Sequence, residues 1–210
     1  MKLQRTTLIL LLLALGLGGF VYFYEIQGAT QRQEAKNQEQ QIFSFEEKQV
    51  KSFTVKTKGQ TLEFEREEKA GKSTWQMKAP SDTPANDASV AYLLDLLVGG
   101  KSDRTIQVPA TQLQEYGLDQ PRATIEVKLN NQETHQLILG KPDFNRNFLY
   151  AQAVPPAKLA ENVEVLLVST DFANAVNRSL SEWKSQDASK SDNEKSAEAP
   201  KESFKATPSP

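Results

Sequence analysis

The chain has 210 residues, with 25 Lys and Arg against 27 Asp and Glu, one His and no Cys, for a formal charge of −2. That balance offers no basic excess to neutralise phosphates, so a nucleic-acid partner is not expected. The absence of cysteine excludes disulfides, thiolate metal sites and thiol nucleophiles, and a single histidine excludes a multi-His metal centre.

Lys2 and Arg5 precede an uncharged run from Thr6 to Tyr24 whose middle is almost pure leucine. Its length, about 19 residues, is close to the roughly 20 that a spanning helix needs. Phe20, Tyr22, Phe23 and Tyr24 close it, and aromatics with a polar tip favour the membrane–water boundary. No small-residue cleavage site follows, because Ile26 and Gln27 stand before Gly28 and Ala29. The expectation is an uncleaved anchor over residues 6–24 in a bacterial plasma membrane, with the lipid bilayer as its partner. The basic residues keep residues 1–5 cytoplasmic, and the remainder is extracytoplasmic.

Residues 25–41 are polar and Gln-rich and read as a stalk. Residues 42–184 are expected to form one α+β domain of antiparallel strand meanders with one or two packing helices. Residues 185–210, rich in Ser, Lys, Glu, Ala and Pro, are expected to be a disordered tail.

Within the domain, Phe53 and Val55, Leu62 and Phe64, and Trp75 and Met77 alternate with polar residues, which predicts three half-buried strands. Lys58-Gly59-Gln60 predicts a hairpin turn with Gly accepting a positive φ, and Lys69 to Lys72 predicts a second hairpin. Asn86 or Asp87 caps a helix whose Val90, Leu93, Leu94 and Leu97 form an apolar stripe, and Gly99-Gly100 stops it. Residues 101–108 return as a strand. Pro109 starts a short helix that ends at Tyr116, with Gly117 as a left-handed cap and Leu118 packing back. Ile125, Val127 and Leu129 predict a strand, Asn130-Asn131 a turn, and Leu137 and Leu139 the return, broken by Gly140-Lys141-Pro142. Phe148 and Tyr150 mark another strand. Val163 to Val168 reads as a strand covered on both faces, and a terminal helix runs from Asp171 towards Trp183.

The domain carries a weak internal repeat. Phe53, Val55, Gln60, Leu62, Phe64, Trp75 and Pro80 match Ile125, Val127, Gln132, Leu137, Leu139, Tyr150 and Pro155. The offset is about 72 residues for the first three pairs and about 75 for the others, which fits either a duplicated βββ-plus-helix unit or two alternating hairpins that align without common origin.

Several stretches together resemble the bacterial domain-of-unknown-function family 4340. They are Trp75 to Pro80, a helix starting near Asn86-Asp87, Tyr116-Gly117-Leu118-Asp119-Gln120-Pro121, Leu139-Gly140-Lys141 and Tyr150-Ala151. The likeness runs roughly from Phe64 to Val168. It implies a membrane-anchored extracytoplasmic protein, in some members a companion of ABC-type transport systems, and brings no activity or binding residues with it.

Candidate chemistry is sparse. His135 lies in a predicted strand without a nucleophile or orienting carboxylate and reads as a surface or edge-strand residue. Glu63, Glu65 and Glu67 alternate and so share a strand face, where paired carboxylates suit a hard cation or glycoside hydrolysis, or simply solvation. The loop Lys141 to Asn147 is the most polar in the domain, and Arg146 between two Asn suits a partner's carboxylate. Trp75 and Trp183 read as packing residues. No nucleotide-binding loop is present. The expectation is a non-enzymatic interaction module without catalytic, cofactor or metal residues, an accessory of a membrane transport or envelope assembly. Its partner-binding residues are Tyr116, Asp119, Lys141, Asp143, Arg146 and Asn147. The alternative is a domain that binds an envelope polymer or small ligand through the Glu63–Glu65 face.

Overall fold

The structure, a computed structural model, describes residues 5–22, 40–69, 71–154 and 161–186. Most of the expected stalk, Ala70 in the second hairpin, Pro155 and the expected tail from residue 187 onward lie outside the described residues. The chain divides into two units, residues 1–41 and 42–210.

In the first unit the leucine-rich run forms a helix, Arg5–Tyr22, of 18 residues. Among the described residues no helix is long and apolar enough to cross a membrane. At 1.5 Å per residue this one rises about 27 Å, short of the roughly 30 Å of a hydrocarbon layer. Leu13, Leu15 and Leu17 are uncovered, Leu15 being 65% exposed.

The second unit is built on one antiparallel sheet. Its strands, in chain order, are β1 Val50–Thr57, β2 Thr61–Lys69, β3 Lys72–Ala79, β4 Thr83–Pro84, β5 Arg104–Pro109, β6 Ala123–Leu129, β7 Thr134–Pro142, β8 Phe148–Val154 and β9 Asn162–Ser169. Across the sheet they lie in the order β4-β3-β2-β1-β6-β7-β8-β9-β5. The expected antiparallel α+β architecture is therefore present.

Alternation places Phe53, Val55, Leu62, Phe64, Trp75, Met77, Ile125, Val127, Leu137 and Leu139 on one face, all of them buried. The helix Asp87–Gly99 covers that face. The Asn86 side chain accepts the N–H groups of Ala88 and Ser89, and Val90, Leu93, Leu94 and Leu97 are fully buried. The helix ends where Gly100 turns to extended backbone, and a Cβ there would meet the Leu96 carbonyl, Ile42 and Phe172. The expected terminal helix divides into two short ones, Asp171–Val176 and Leu180–Trp183. The indole of Trp183 is fully buried and lies 5.1 Å from the Phe64 ring. Beyond it, Lys184 pairs with Ala85 and Ser185 donates to the Pro84 carbonyl, closing the β4 edge.

The strand order is the same in both halves. β1-β2-β3-β4 runs outward on one side and β6-β7-β8-β9 on the other, and a helix follows β4 and β9 alike. The central register is itself symmetric. Phe53 faces Val127 and Val55 faces Ile125, and adding 72, the difference between 125 and 53, exchanges the two pairs.

The further equivalences differ from those expected. Phe53 pairs with Phe64 and Ile125 with Leu137, so Phe64 corresponds to Leu137 rather than Leu139. In the same way Leu62 corresponds to His135 rather than Leu137. Trp75 corresponds to Ala151, not Tyr150, because Trp75 packs in the helix-covered core while Tyr150 packs behind the sheet. A one-residue slip in a strand changes the face, and composition alone does not reveal it.

Three local expectations are also corrected. Gly59 does lie in the β1–β2 turn, but the positive φ of a hairpin glycine falls on Gly71, at 74°. Gly140-Lys141-Pro142 does not break β7; the strand continues through all three with an irregularity before Pro142. His135 is not on an edge strand, for β7 lies inside the sheet; its side chain is half-buried, 30% exposed, and the ring packs 5.5 Å from Phe43 and 5.1 Å from Phe45. It takes the place that a buried leucine holds in the other half.

Candidate interaction surface

Behind the sheet lies a second, smaller core. Val108, Leu118 and Val165 are buried there, with Ile106, Leu113, Tyr116, Ile138, Tyr150 and Val163 packed around them. β9 is thus covered on both faces, as its continuous apolar run predicts. The cover is the stretch between β5 and β6. A 3-10 helix, Ala110–Tyr116, ends at Gly117, whose φ of 68° supplies the left-handed cap. The N–H of Leu118 then donates to the Leu113 carbonyl at 3.1 Å.

This cover is locked to β7 by two glycines. A Cβ on Gly140 would stand 2.2 Å from the Tyr116 carbonyl and 3.2 Å from Leu118 Cδ2. A Cβ on Gly117 would stand 3.1 Å from the Lys141 backbone N. The Tyr116 and Tyr150 rings meet edge to face at 5.0 Å. Tyr116-Gly117-Leu118 and Leu139-Gly140-Lys141 are therefore the two sides of one packing contact.

The contact also gathers the expected partner-binding residues. Tyr116 and Lys141 are joined through the glycines, and Asp119 is exposed on the turn that follows Leu118. Asp143 opens the β7–β8 turn. Its Oδ1 accepts the Phe148 N–H at 2.9 Å, and its carbonyl accepts the Arg146 N–H at 3.1 Å. Asp143 is thereby a turn-forming residue. Arg146 has a φ of 60°, a left-handed conformation rare for a non-glycine side chain. Arg146 and Asn147 are exposed, and neither Lys141 nor Arg146 forms an ion pair among the described residues.

The sequence reading omitted Phe144. It is 98% exposed, at the tip of this turn. An apolar residue among polar ones breaks no period, and only its exposure distinguishes it.

The other candidate face lies behind β2, β1 and β6. Glu63 and Glu65 line a shallow depression of about 230 Å³ together with Lys51, Lys78 and Lys128. Glu67 shares their side of β2 and pairs with Lys78 at 2.6 Å. The hydrogen bond that Lys78 donates to Glu67 raises its ammonium above the ordinary value, and Asp82 is held below the ordinary carboxylate value chiefly by the Gln76 amide. Among the described residues no cluster of three or more His, Asp or Glu is placed to hold a metal ion.

No curated protein and no solved structure matches the chain. A match to a domain family does exist, over residues 75–198. It begins at Trp75 in β3, later than the resemblance at Phe64, and runs past Trp183, so that it includes the tyrosine–glycine turn, Gly140 and the closing segment but not β1 or β2. It spans more than half of the chain, which therefore belongs to the family described as a domain of unknown function, DUF4340.

Proposed function

We propose that this chain is a membrane-anchored extracytoplasmic interaction module, an accessory of an ABC-type transport or envelope assembly, built on a duplicated βββ-plus-helix unit. The observation that carries the reading is that Asp119, Lys141, Arg146 and Asn147 are exposed on the two turns next to the Tyr116–Gly140 packing contact, Lys141 and Arg146 without an ion pair among the described residues. The anchor is the apolar helix Arg5–Tyr22 with uncovered Leu13, Leu15 and Leu17, continued in the sequence by uncharged Phe23 and Tyr24. Lys2 and Arg5 at its start favour a cytoplasmic N-terminus.

Crosslinking in native membranes, followed by a mild-detergent pull-down of the full-length chain, tests the assembly. Recovery of transporter subunits, lost when residues 141–147 are replaced by Gly and Ser, is the expected result. Recovery of the chain alone overturns it. The absence of cysteine makes topology simple to test. Lys58→Cys should react with a membrane-impermeant maleimide on intact cells, and reaction only after lysis overturns the extracytoplasmic placement.

The second reading is favoured by the depression beneath Glu63 and Glu65. Its mixture of carboxylates and lysines suits a zwitterionic envelope fragment. Calorimetry with wall fragments and divalent cations tests it, and silence across that panel removes it.

A further inference from the structure

The β7–β8 turn combines three features. Phe144 stands almost wholly in solvent, and neither the guanidinium of Arg146 nor the ammonium of Lys141 at the base has an ion-pair partner among the described residues. The turn itself is fixed. Asp143 holds it at both ends, accepting the Phe148 N–H with its side chain and donating its own N–H to the Phe148 carbonyl at 2.9 Å. The carboxylate of Asp143 is thereby directed into the turn, while the aromatic and the two cations are left for an outside group.

We infer that Phe144 is the anchor of a protein–protein contact, seated in an apolar pocket of the partner whose rim carries carboxylates for Arg146 and Lys141. This rests on the interaction-module reading and names the chemistry of its partner. Aromatic and arginine side chains dominate the energetics of protein interfaces, and arginine matches a carboxylate with two parallel hydrogen bonds. The flanking Asn145 and Asn147 supply polar groups for the rim. A lone phenylalanine among Asp and Asn is a poor membrane wedge, because those polar groups would lose their water without a fixed set of partners.

The test places a photoreactive phenylalanine analogue at Asn145 of the full-length chain in native membranes and maps the adduct by mass spectrometry. The expected adduct lies on a protein segment that has apolar residues beside Asp or Glu. Its yield should fall about tenfold in Phe144→Ala, as expected for loss of one buried aromatic. It should also fall in Arg146→Asn, which keeps the left-handed backbone and removes only the charge. Lys58→Asn, on a different turn, should leave the yield unchanged. Adducts to lipid alone overturn the inference in favour of a bilayer surface. Protein adducts indifferent to Phe144→Ala and Arg146→Asn overturn it as well. The same analogue at Glu63 separates the two levels. Silence at Asn145 with a protein adduct at Glu63 removes this surface and keeps the module; silence at both removes both.

Discussion

The two halves of the sheet share a strand order and differ in what lies behind it. Behind β1 and β2 the side chains are Ser52, Thr54, Glu63, Glu65 and Glu67, facing solvent. Behind β7, β8, β9 and β5 they are Ile138, Tyr150, Val163, Val165, Ile106 and Val108, roofed by Leu113, Tyr116 and Leu118. The insertion responsible is the crossing from the outer edge at β5 to the centre at β6. One half is therefore a one-sided sheet and the other a two-sided one. Tyr116 and Gly117 belong to the roof, where they pack against Tyr150, Gly140 and Lys141.

That contrast can be broken from its strongest point downward. Gly140→Val drives a branched side chain into the Tyr116 carbonyl, and the protein should lose about 3 kcal/mol, read from its urea midpoint. Leu118→Ala leaves a cavity under the roof and should cost about 2 kcal/mol in the same assay. Gly117→Ala must hold a φ of 68° with a Cβ near Lys141, which should cost about 1 kcal/mol.

A smaller effect belongs to the closing segment, away from both back faces. Glu182 accepts the Ser179 N–H and the Ser179 hydroxyl, and these bonds, the backbone one foremost, hold its carboxyl below the ordinary 4.5. A depressed carboxyl stabilises the fold above its unfolded value, and that contribution disappears as the pH falls below 4.5. Glu182→Gln should therefore lower the neutral plateau of a thermal-melt pH series, flatten the acid limb, and differ least from the parent protein at the lowest pH. The smallest effect is expected on the open half. Glu63→Gln and Glu65→Gln should each stay within about 0.5 kcal/mol of the parent protein. A larger loss there would show that the open face is not solvent-facing in the working molecule.

What the sequence disclosed was local. Phe53, Val55, Leu62 and Phe64 reveal strands because period two is written into consecutive residues, and Asn86 with its leucine stripe reveals a helix for the same reason. Gly117 could be assigned as a left-handed cap because the residues on either side satisfy it. The placement of β5 at the far edge was not legible, since no local pattern records which strand a segment will join. Turn lengths hid the register, so that Leu62 was aligned with Leu137 and Trp75 with Tyr150. Gly140 looked like a strand breaker; it is a strand residue whose missing side chain admits Tyr116. Among the candidate surface residues, Arg146 and Lys141 were legible by charge, whereas Phe144 needed the three-dimensional exposure to be noticed.

The closing segment sets the order in which the domain can be completed during synthesis. β1, β2 and β3 emerge first, yet the indole packed against Phe64 and the backbone that pairs with β4 arrive only with Trp183 to Ser185. Chains generally fold domain by domain as they appear. Here the half that is made first stays open until more than 180 residues have been delivered, and for that interval the growing chain leaves Phe64, Trp75 and Met77 without the cover that Trp183 completes.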